Sequence, residues 1–276
     1  MTIWLNGKLL ESGAIAASSA GVTVGWGVFT TVGVRGGQPL FLARHIQRLQ
    51  RDATEAEIKF PFSPEQISAA ACQLLAANDI GEGLLRLTLT RQGDGRWNKS
   101  QGADLSLQTL PAPTVTSLPR VQLSKYRIEA RRPLVGVKTT SYLPYIWAWR
   151  EAKSRGFDET ILRDGDDNLS EGARSNLFWV AKNQIFTPCL ETGCLRGLGR
   201  ELMLEWAHSR GIEVHEGKFS VGDVVQSEAA YLISGATGPR LIASWHDENE
   251  ESLRQWQSDS DLAIELRAWW DQAGTI

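Results

Sequence analysis

LVGVKTTSYLPYIWAW (residues 134–149), LSEGARSNLFWV (169–180) and TPCLETGCLRGLGREL (187–202) follow one another in the second half of a 276-residue chain. Lys138 is the only charge in the first run. Most other lysines sit in polar company: Lys8 beside a turn, Lys99 in a loop, Lys153 near Glu151 and Arg155. An amine with no charged neighbours is placed for desolvation, which lowers its pKa and makes it a nucleophile. A lysine snorkelling from a strand end produces the same pattern. From this run alone both readings stand.

Outward from these runs, apolar alternation predicts strands at 120–128, 159–163, 176–181, 184–187, 212–219, 229–234 and 240–245. Helical spacing predicts helices at about 143–155, 199–210 and 251–272, with Gly156 and Gly211 as stops after the first two. Upstream, PAPTVTSLP (111–119) is proline-rich and aperiodic, the best linker in the chain. A cut there gives a first domain of residues 1–115 and a second of 116–276. In the first, Asn6-Gly7 between apolar stretches signals a hairpin, and strands are predicted at 22–34 and 39–42, turning at Gly36-Gly37. One face of 22–34 carries Val28, Thr30, Val32 and Val34; the other includes Gly25, Gly27, Phe29, Thr31 and Gly33. Glycines inside a strand mark a bulge or the close approach of backbone or ligand. A helix is predicted at 43–58, from Ile46, Leu49, Ala53 and Ala56. A second opens at Ser63 with Pro64 and Gln66 as start signals and ends near Asn78–Gly81. Strands at 84–91 and 103–109 flank a glycine-rich loop. The pattern is α/β (α+β) in two lobes.

Composition excludes several classes. Hydrophobic residues make up 42%, charged residues 22%, and the net charge is −3, which argues against a nucleic-acid surface. No apolar run approaches the ~20 residues of a membrane helix, and the start MTIWLNGKLLESGA lacks the features of a signal peptide; a cytoplasmic location is expected. Cys72, Cys189 and Cys194 are too few for a disulfide framework and are expected as buried thiols. The four scattered histidines, His45, His208, His215 and His246, have no metal-ligand spacing, so no metal is expected. The 21 arginines outnumber the 8 lysines, a bias that suits an anionic small molecule and also a GC-rich genome.

Taken in order, Lys138, then E-G-x-x-S-N-L-F at 171–178, then T-P at 187–188 and L-R-G-L-G-R at 195–200 resemble the class IV aminotransferases, the fold-type IV enzymes dependent on pyridoxal 5′-phosphate. The likeness runs from the IWLNG start to SGATG (234–238). It implies a small N-terminal α/β domain, a larger C-terminal domain with a barrel-like sheet, and a homodimer with its site near the interface. It assigns Lys138 as the Schiff-base lysine and Glu171 as the partner of the pyridinium nitrogen. Gly197, Leu198 and Gly199 become the phosphate cup, at a helix N-terminus whose N–H groups and dipole suit an anion. Arg48, in ARHIQRLQ, becomes a phosphate-binding arginine; an i,i+4 pair with Asp52 is its structural alternative. Departures are also visible. Gly199 stands where the family often has threonine, and Ala236 stands where a hydroxyl residue is common, with Thr237 a one-residue shift away. Ser141 replaces a frequent asparagine. Tyr142 matches, after a one-residue gap, the tyrosine that bonds the ring hydroxyl.

Three activities share this framework: branched-chain aminotransferase, D-amino-acid aminotransferase and 4-amino-4-deoxychorismate lyase. GWGVFTTVGV (25–34) is similar to the glycine-rich strand of the lyases, where both aminotransferases commonly carry a glutamate. Either Thr30 or Thr31, not both, faces a ligand, because they alternate. Arg96, five residues after Arg91, resembles a lyase and D-amino-acid-enzyme arginine that reaches the substrate carboxylate; a plain surface loop is its alternative. The expectation is a lyase forming 4-aminobenzoate and pyruvate for folate, with an aminotransferase, or a non-catalytic binding protein, as alternatives.

Overall fold

The computed structural model describes residues 1–93, 102–112 and 117–273. The chain forms two compact units, one of residues 1–114, 137–142 and 272–276, the other of 115–136 and 143–271. The expected cut between 115 and 116 falls outside the described residues. No sequence signal announces that 137–142, with Lys138, belongs to the first unit.

The first unit opens with β1 (Ile3–Leu5) and β2 (Lys8–Leu10), joined at Asn6 (φ 49°) and Gly7 (φ 93°), the positive φ pair of a tight hairpin turn. The predicted strand from residue 22 starts later. Residues Ala20–Thr23 form a short helix, α1, because the Ser19 hydroxyl accepts the Gly21 N–H at 3.3 Å, and Gly25 (φ +67°) turns the chain before β3 (Gly27–Arg35). Val22 and Val24 are exposed as a result. The return strand shrinks to β4 (Gln38–Pro39), since Leu42 already starts α2 (Leu42–Glu55). Then come α3 (Pro64–Ala77), opened by the Ser63–Gln66 capping box, β5 (Gly83–Arg91) and β6 (Ala103–Pro111). The sheet order is β2-β1-β6-β5-β3-β4. Its core face buries Val28, Val32 and Val34 of β3 and Leu85, Leu87 and Leu89 of β5, together with Ile46, Leu49 and Ala53 of α2 and Ile67, Ala71 and Leu74 of α3. Alternation therefore leaves Phe29, Thr31 and Arg86 on the opposite face.

The second unit contains β7 (Arg120–Ile128), α4 (Leu143–Ser154), β8 (Glu159–Asp164), β9 (Leu169–Gly172), β10 (Asn176–Ala181), β11 (Gln184–Pro188), α5 (Leu198–Ser209), β12 (Val214–Gly217), α6 (Val221–Val225), β13 (Ala229–Ser234), β14 (Gly238–Leu241), β15 (Ser244–His246), β16 (Ser252–Gln255) and α7 (Asp261–Ala273). Two five-stranded sheets run β12-β11-β10-β13-β14 and β16-β15-β7-β8-β9. β9 also lies against β10 and β11, so the sheets curl into a half-barrel; Phe178 and Tyr231 stack on one face of the β10–β13 pair, Trp179 takes the other face of β10, and all three are buried.

Two predictions are corrected here. The strand expected at 240–245 is two, one in each sheet. The helix expected from 251 begins only at Asp261, where the Ser260 hydroxyl accepts the Ala263 N–H at 3.3 Å; residues Ser252–Gln255 before it form β16. Among the cysteines, Cys194 is buried, Cys189 partly so, and Cys72 is exposed on α3, contrary to expectation.

Candidate functional site

Lys138 lies on a segment laid along the start of β3. The Phe29 N–H donates to the Lys138 carbonyl at 3.0 Å, and the Thr140 N–H donates to the Gly27 carbonyl at 2.8 Å. Gly27, the first residue of β3, and Gly25 just before it make this contact sterically feasible. A Cβ on Gly27 would stand 2.8 Å from Thr140 Oγ1 and 2.9 Å from the Leu89 carbonyl oxygen; one on Gly25 would stand 2.6 Å from Ser141 Oγ. The close approach flagged by glycines in a strand is thus that of the lysine segment itself. Ser141, the departure from asparagine, donates to the Gly25 carbonyl at 3.2 Å.

The Lys138 ammonium is half-buried against aromatic rings. Nζ stands 4.5 Å from the centroid of Phe29 and 4.3 Å from that of Tyr142, and donates to the Tyr142 hydroxyl at 3.2 Å. Tyr142 meets Phe29 edge-on at 5.4 Å. Across the sheet, Thr31 pairs with Arg86, whose guanidinium lies 4.0 Å above Phe29. Burial pulls the Arg86 guanidinium below its usual pKa, with Tyr142 pulling the other way. Arg86 is a candidate anion site that sequence reading missed; its signal was strand parity with Phe29 and Thr31.

Of the two threonines, Thr31 shares the face of Phe29 and Lys138's ring contacts. Thr30 does not, so of the two alternatives Thr31 is the one on the lysine's face. It is fully buried towards α2, its Oγ1 2.6 Å from His45 Nδ1 and accepting from Arg48 Nη2 at 2.5 Å. Thr30 therefore orients Arg48, which is itself buried. One turn further along α2, Asp52 is buried, feels the Arg48 charge, and accepts from Arg51 Nε at 3.4 Å through Oδ1. Asp52 Oδ2 accepts the Lys138 backbone N–H at 3.2 Å.

In the second unit, β9 carries Glu171, a buried carboxylate. Oε1 accepts from the Tyr145 hydroxyl at 3.2 Å, and Oε2 from the Leu195 N–H at 3.0 Å and Asn176 Nδ2 at 3.5 Å. Arg132 Nη2 in turn donates to the Tyr145 oxygen at 2.8 Å. Donors directed at both oxygens favour the ionised form of a buried acid. Burial, and next the Glu171 charge, push the Cys194 thiol up to about 12, so Cys194 is an inert packing group.

Gly197 caps α5 without any side-chain cap, and Leu198 and Gly199 begin the helix. Their N–H groups belong to the first turn, which has no intrahelical acceptor. Leu198 buries its side chain and can offer only backbone. A Cβ on Gly197 would collide with the Asn176 side-chain oxygen, and Asn176 also donates to the Leu195 carbonyl at 3.0 Å; one amide thus joins the turn to Glu171. A Cβ on Gly199 would sit 2.7 Å from the Ser234 carbonyl carbon. The missing threonine is explained by this: the end of β13 occupies its place, and a turn follows at once. That turn holds Ala236 and Thr237, and the Thr237 hydroxyl is 2.9 Å from that of Ser234, another polar group the sequence reading missed. Arg96 lies outside the described residues.

The first unit thus presents an amine, two arginines and a ring pair, and the second a buried, multiply hydrogen-bonded carboxylate and a helix start without a side-chain cap. Comparison with known proteins gives the family and the fold. The family described as amino-transferase class IV matches residues 27–245. Aminodeoxychorismate lyase of Bacillus subtilis (strain 168) is 30% identical over 247 residues, covering 83% of this chain and 82% of that protein. A putative branched-chain-amino-acid aminotransferase of Methanocaldococcus jannaschii is 26% identical, covering 86% and 85%. Among solved structures, a putative 4-amino-4-deoxychorismate lyase from Legionella pneumophila superposes with a TM-score of 0.86 at 21% identity, over 95% of this chain and 96% of that one. The branched-chain amino acid aminotransferase of Thermobaculum terrenum in its PLP form gives 0.83 at 19%, over 99% and 94%.

Proposed function

Because the chain belongs to amino-transferase class IV, we propose that it binds pyridoxal 5′-phosphate and acts as a 4-amino-4-deoxychorismate lyase, releasing 4-aminobenzoate and pyruvate. The residues fit the cofactor. Lys138 supplies the amine. Glu171, supplied with donors on both oxygens, supplies the anion that keeps a ring nitrogen protonated. The first-turn N–H groups of α5 and the Arg48 guanidinium suit the phosphate, and Gly199 admits backbone where a side chain would strike Ser234.

When bound, the cofactor supplies an electron sink for the carbon that bears the substrate amine. Lys138 would be the base that takes the proton from this carbon, with Tyr142 orienting Nζ from 3.2 Å. Glu171 would sit at the ring nitrogen, its oxygens held by the Tyr145 hydroxyl and the Leu195 N–H. The bond between the ring carbon and the enolpyruvyl oxygen would break with its electron pair going to that oxygen, the leaving enolpyruvate would take up the proton to become pyruvate, and the ring would be left aromatic, so the protein's share is orientation and proton transfer.

The observation that carries the lyase reading is the Phe29–Thr31–Arg86 face. Strand β3 puts no carboxylate on it, where the aminotransferases commonly have glutamate, and Arg86 offers a desolvated guanidinium to a substrate bearing two carboxylates. The 30% identical relative named as a lyase supports the same reading. A second reading, an aminotransferase, is favoured by the relatives named so, because Arg86 serves the carboxylate of an amino acid equally well. In either case we place the active form as a homodimer working on an anionic small molecule. Among the described residues no helix is long and apolar enough to cross a membrane.

The test is to incubate purified protein with pyridoxal phosphate, then assay 4-aminobenzoate and pyruvate from aminodeoxychorismate beside transamination of D- and L-amino acids. The lyase products are expected, and Lys138→Ala should lose the visible absorption band. Folded protein that takes up no cofactor would overturn the enzyme reading. Formation of 2-oxo acid without 4-aminobenzoate would transfer the chain to the second reading.

A further inference from the structure

Lys138 is held by its main chain from two sides. Its carbonyl accepts the Phe29 N–H of β3 at 3.0 Å, and its own N–H donates to Asp52 Oδ2 of α2 at 3.2 Å. Asp52 is fully buried and lies one helical turn from Arg48, so the two share a helix face.

We infer that Asp52 is a positioning residue: its buried carboxyl oxygen ties the Lys138 main chain to α2, so the helix that carries Arg48 also sets where the amine stands. The inference rests on the reading of Lys138 as the cofactor-bearing amine. The oxygen matters here as an acceptor more than as a charge. Burial pushes the Asp52 carboxyl above the ordinary carboxylate range despite the opposing pull of Arg48, the Lys138 N–H and Arg51, so the fold does not favour its ionised form. Asparagine keeps an oxygen at the same distance along the side chain; alanine removes it.

The experiment uses the full chain as wild type, Asp52→Asn and Asp52→Ala. Hydrogen–deuterium exchange of a peptide spanning residues 137–142 is read without cofactor. Retention of pyridoxal phosphate on Lys138 after borohydride reduction is read by mass. Asp52→Asn is expected within about twofold of wild type in both. Asp52→Ala is expected to raise exchange and to slow trapping about tenfold, the loss of one buried hydrogen bond to a carboxyl group. Folded Asp52→Ala with wild-type exchange and trapping overturns the inference, as does Asp52→Asn behaving like alanine. If Asp52→Ala does not fold, Asp52→Asn decides: protection and trapping retained support the inference, and loss of either in a folded protein overturns it. Wild type that traps no cofactor refutes the underlying reading of Lys138, while the exchange measurement still tests the tie to Asp52.

Discussion

Adding a side chain at Gly199 separates two accounts of the phosphate turn. If the family's threonine contributes a hydroxyl contact, Gly199→Thr should tighten cofactor binding; the packing demands the reverse. A Cβ there stands 2.7 Å from the Ser234 carbonyl carbon, 2.9 Å from its Cα and 3.0 Å from Ile233 Cγ1. Two of these are backbone atoms of β13, a strand hydrogen-bonded to both β10 and β14. From the other side α5 is anchored by buried Leu198, Leu202, Met203 and Trp206. Overpacking of this kind costs about 1–3 kcal/mol. Gly199→Ala recovers up to about 1 kcal/mol of helix propensity, whereas threonine recovers less and adds two more heavy atoms. Alanine should therefore be mildly harmful and threonine clearly so, by about 2 kcal/mol or roughly 30-fold in the dissociation constant where the strain falls on the binding turn. Titration of pyridoxal phosphate into cofactor-free protein, followed by absorbance, reads the affinity. Thermal melting without cofactor reads the strain separately. Gly199→Thr that binds as tightly as wild type would refute the packing argument.

Two further outcomes follow from buried groups. Tyr145→Phe removes the hydroxyl between Arg132 and Glu171 and should lower stability by about 1–2 kcal/mol, since a buried carboxylate loses a donor; a melting midpoint equal to wild type would count against the relay. Burial raises the Glu159 carboxyl above its ordinary 4.5, with Arg174 opposing. Its neutral form is therefore the one the fold prefers, and the stability it contributes below 4.5 is lost as pH rises through the raised value. Glu159→Gln should thus melt higher than wild type near neutral pH and lose that advantage in acid; a lower midpoint at neutral pH would show that the Arg174 pair outweighs desolvation.

Local chemistry made much of the fold legible. The Asn6-Gly7 turn, the Ser63 capping box and the apolar stripe of α2 all formed where side-chain pattern and backbone preference agree. Boundaries moved where one residue overrode periodicity: Gly25 with φ +67° delayed β3, and the Ser260 cap delayed α7. At the candidate site, the lone lysine and the glycines of β3 were two signs of one arrangement, because Gly25 and Gly27 make room for the lysine segment. Arg86, Asp52, Tyr145 and Arg132 were not legible as site residues. Their roles depend on strand parity, or on partners 86 residues (Asp52 with Lys138) and 26 residues (Tyr145 with Glu171) away along the chain, and no local pattern encodes such pairings.

The assignment of residues 137–142 to the first unit bears on how this chain can be divided. A fragment ending at residue 112 would contain every strand of the six-stranded sheet and both long helices beside it, yet leave the Gly27 carbonyl, the Phe29 N–H and the Asp52 carboxyl without the main-chain partners they have in the intact chain. A synthetic peptide spanning 137–142, added in trans, supplies those partners. Exchange of such a segment between homologous chains would likewise have to carry Gly25 and Gly27 with it, because the two stretches are coupled by contact although about 110 residues separate Gly27 from Lys138.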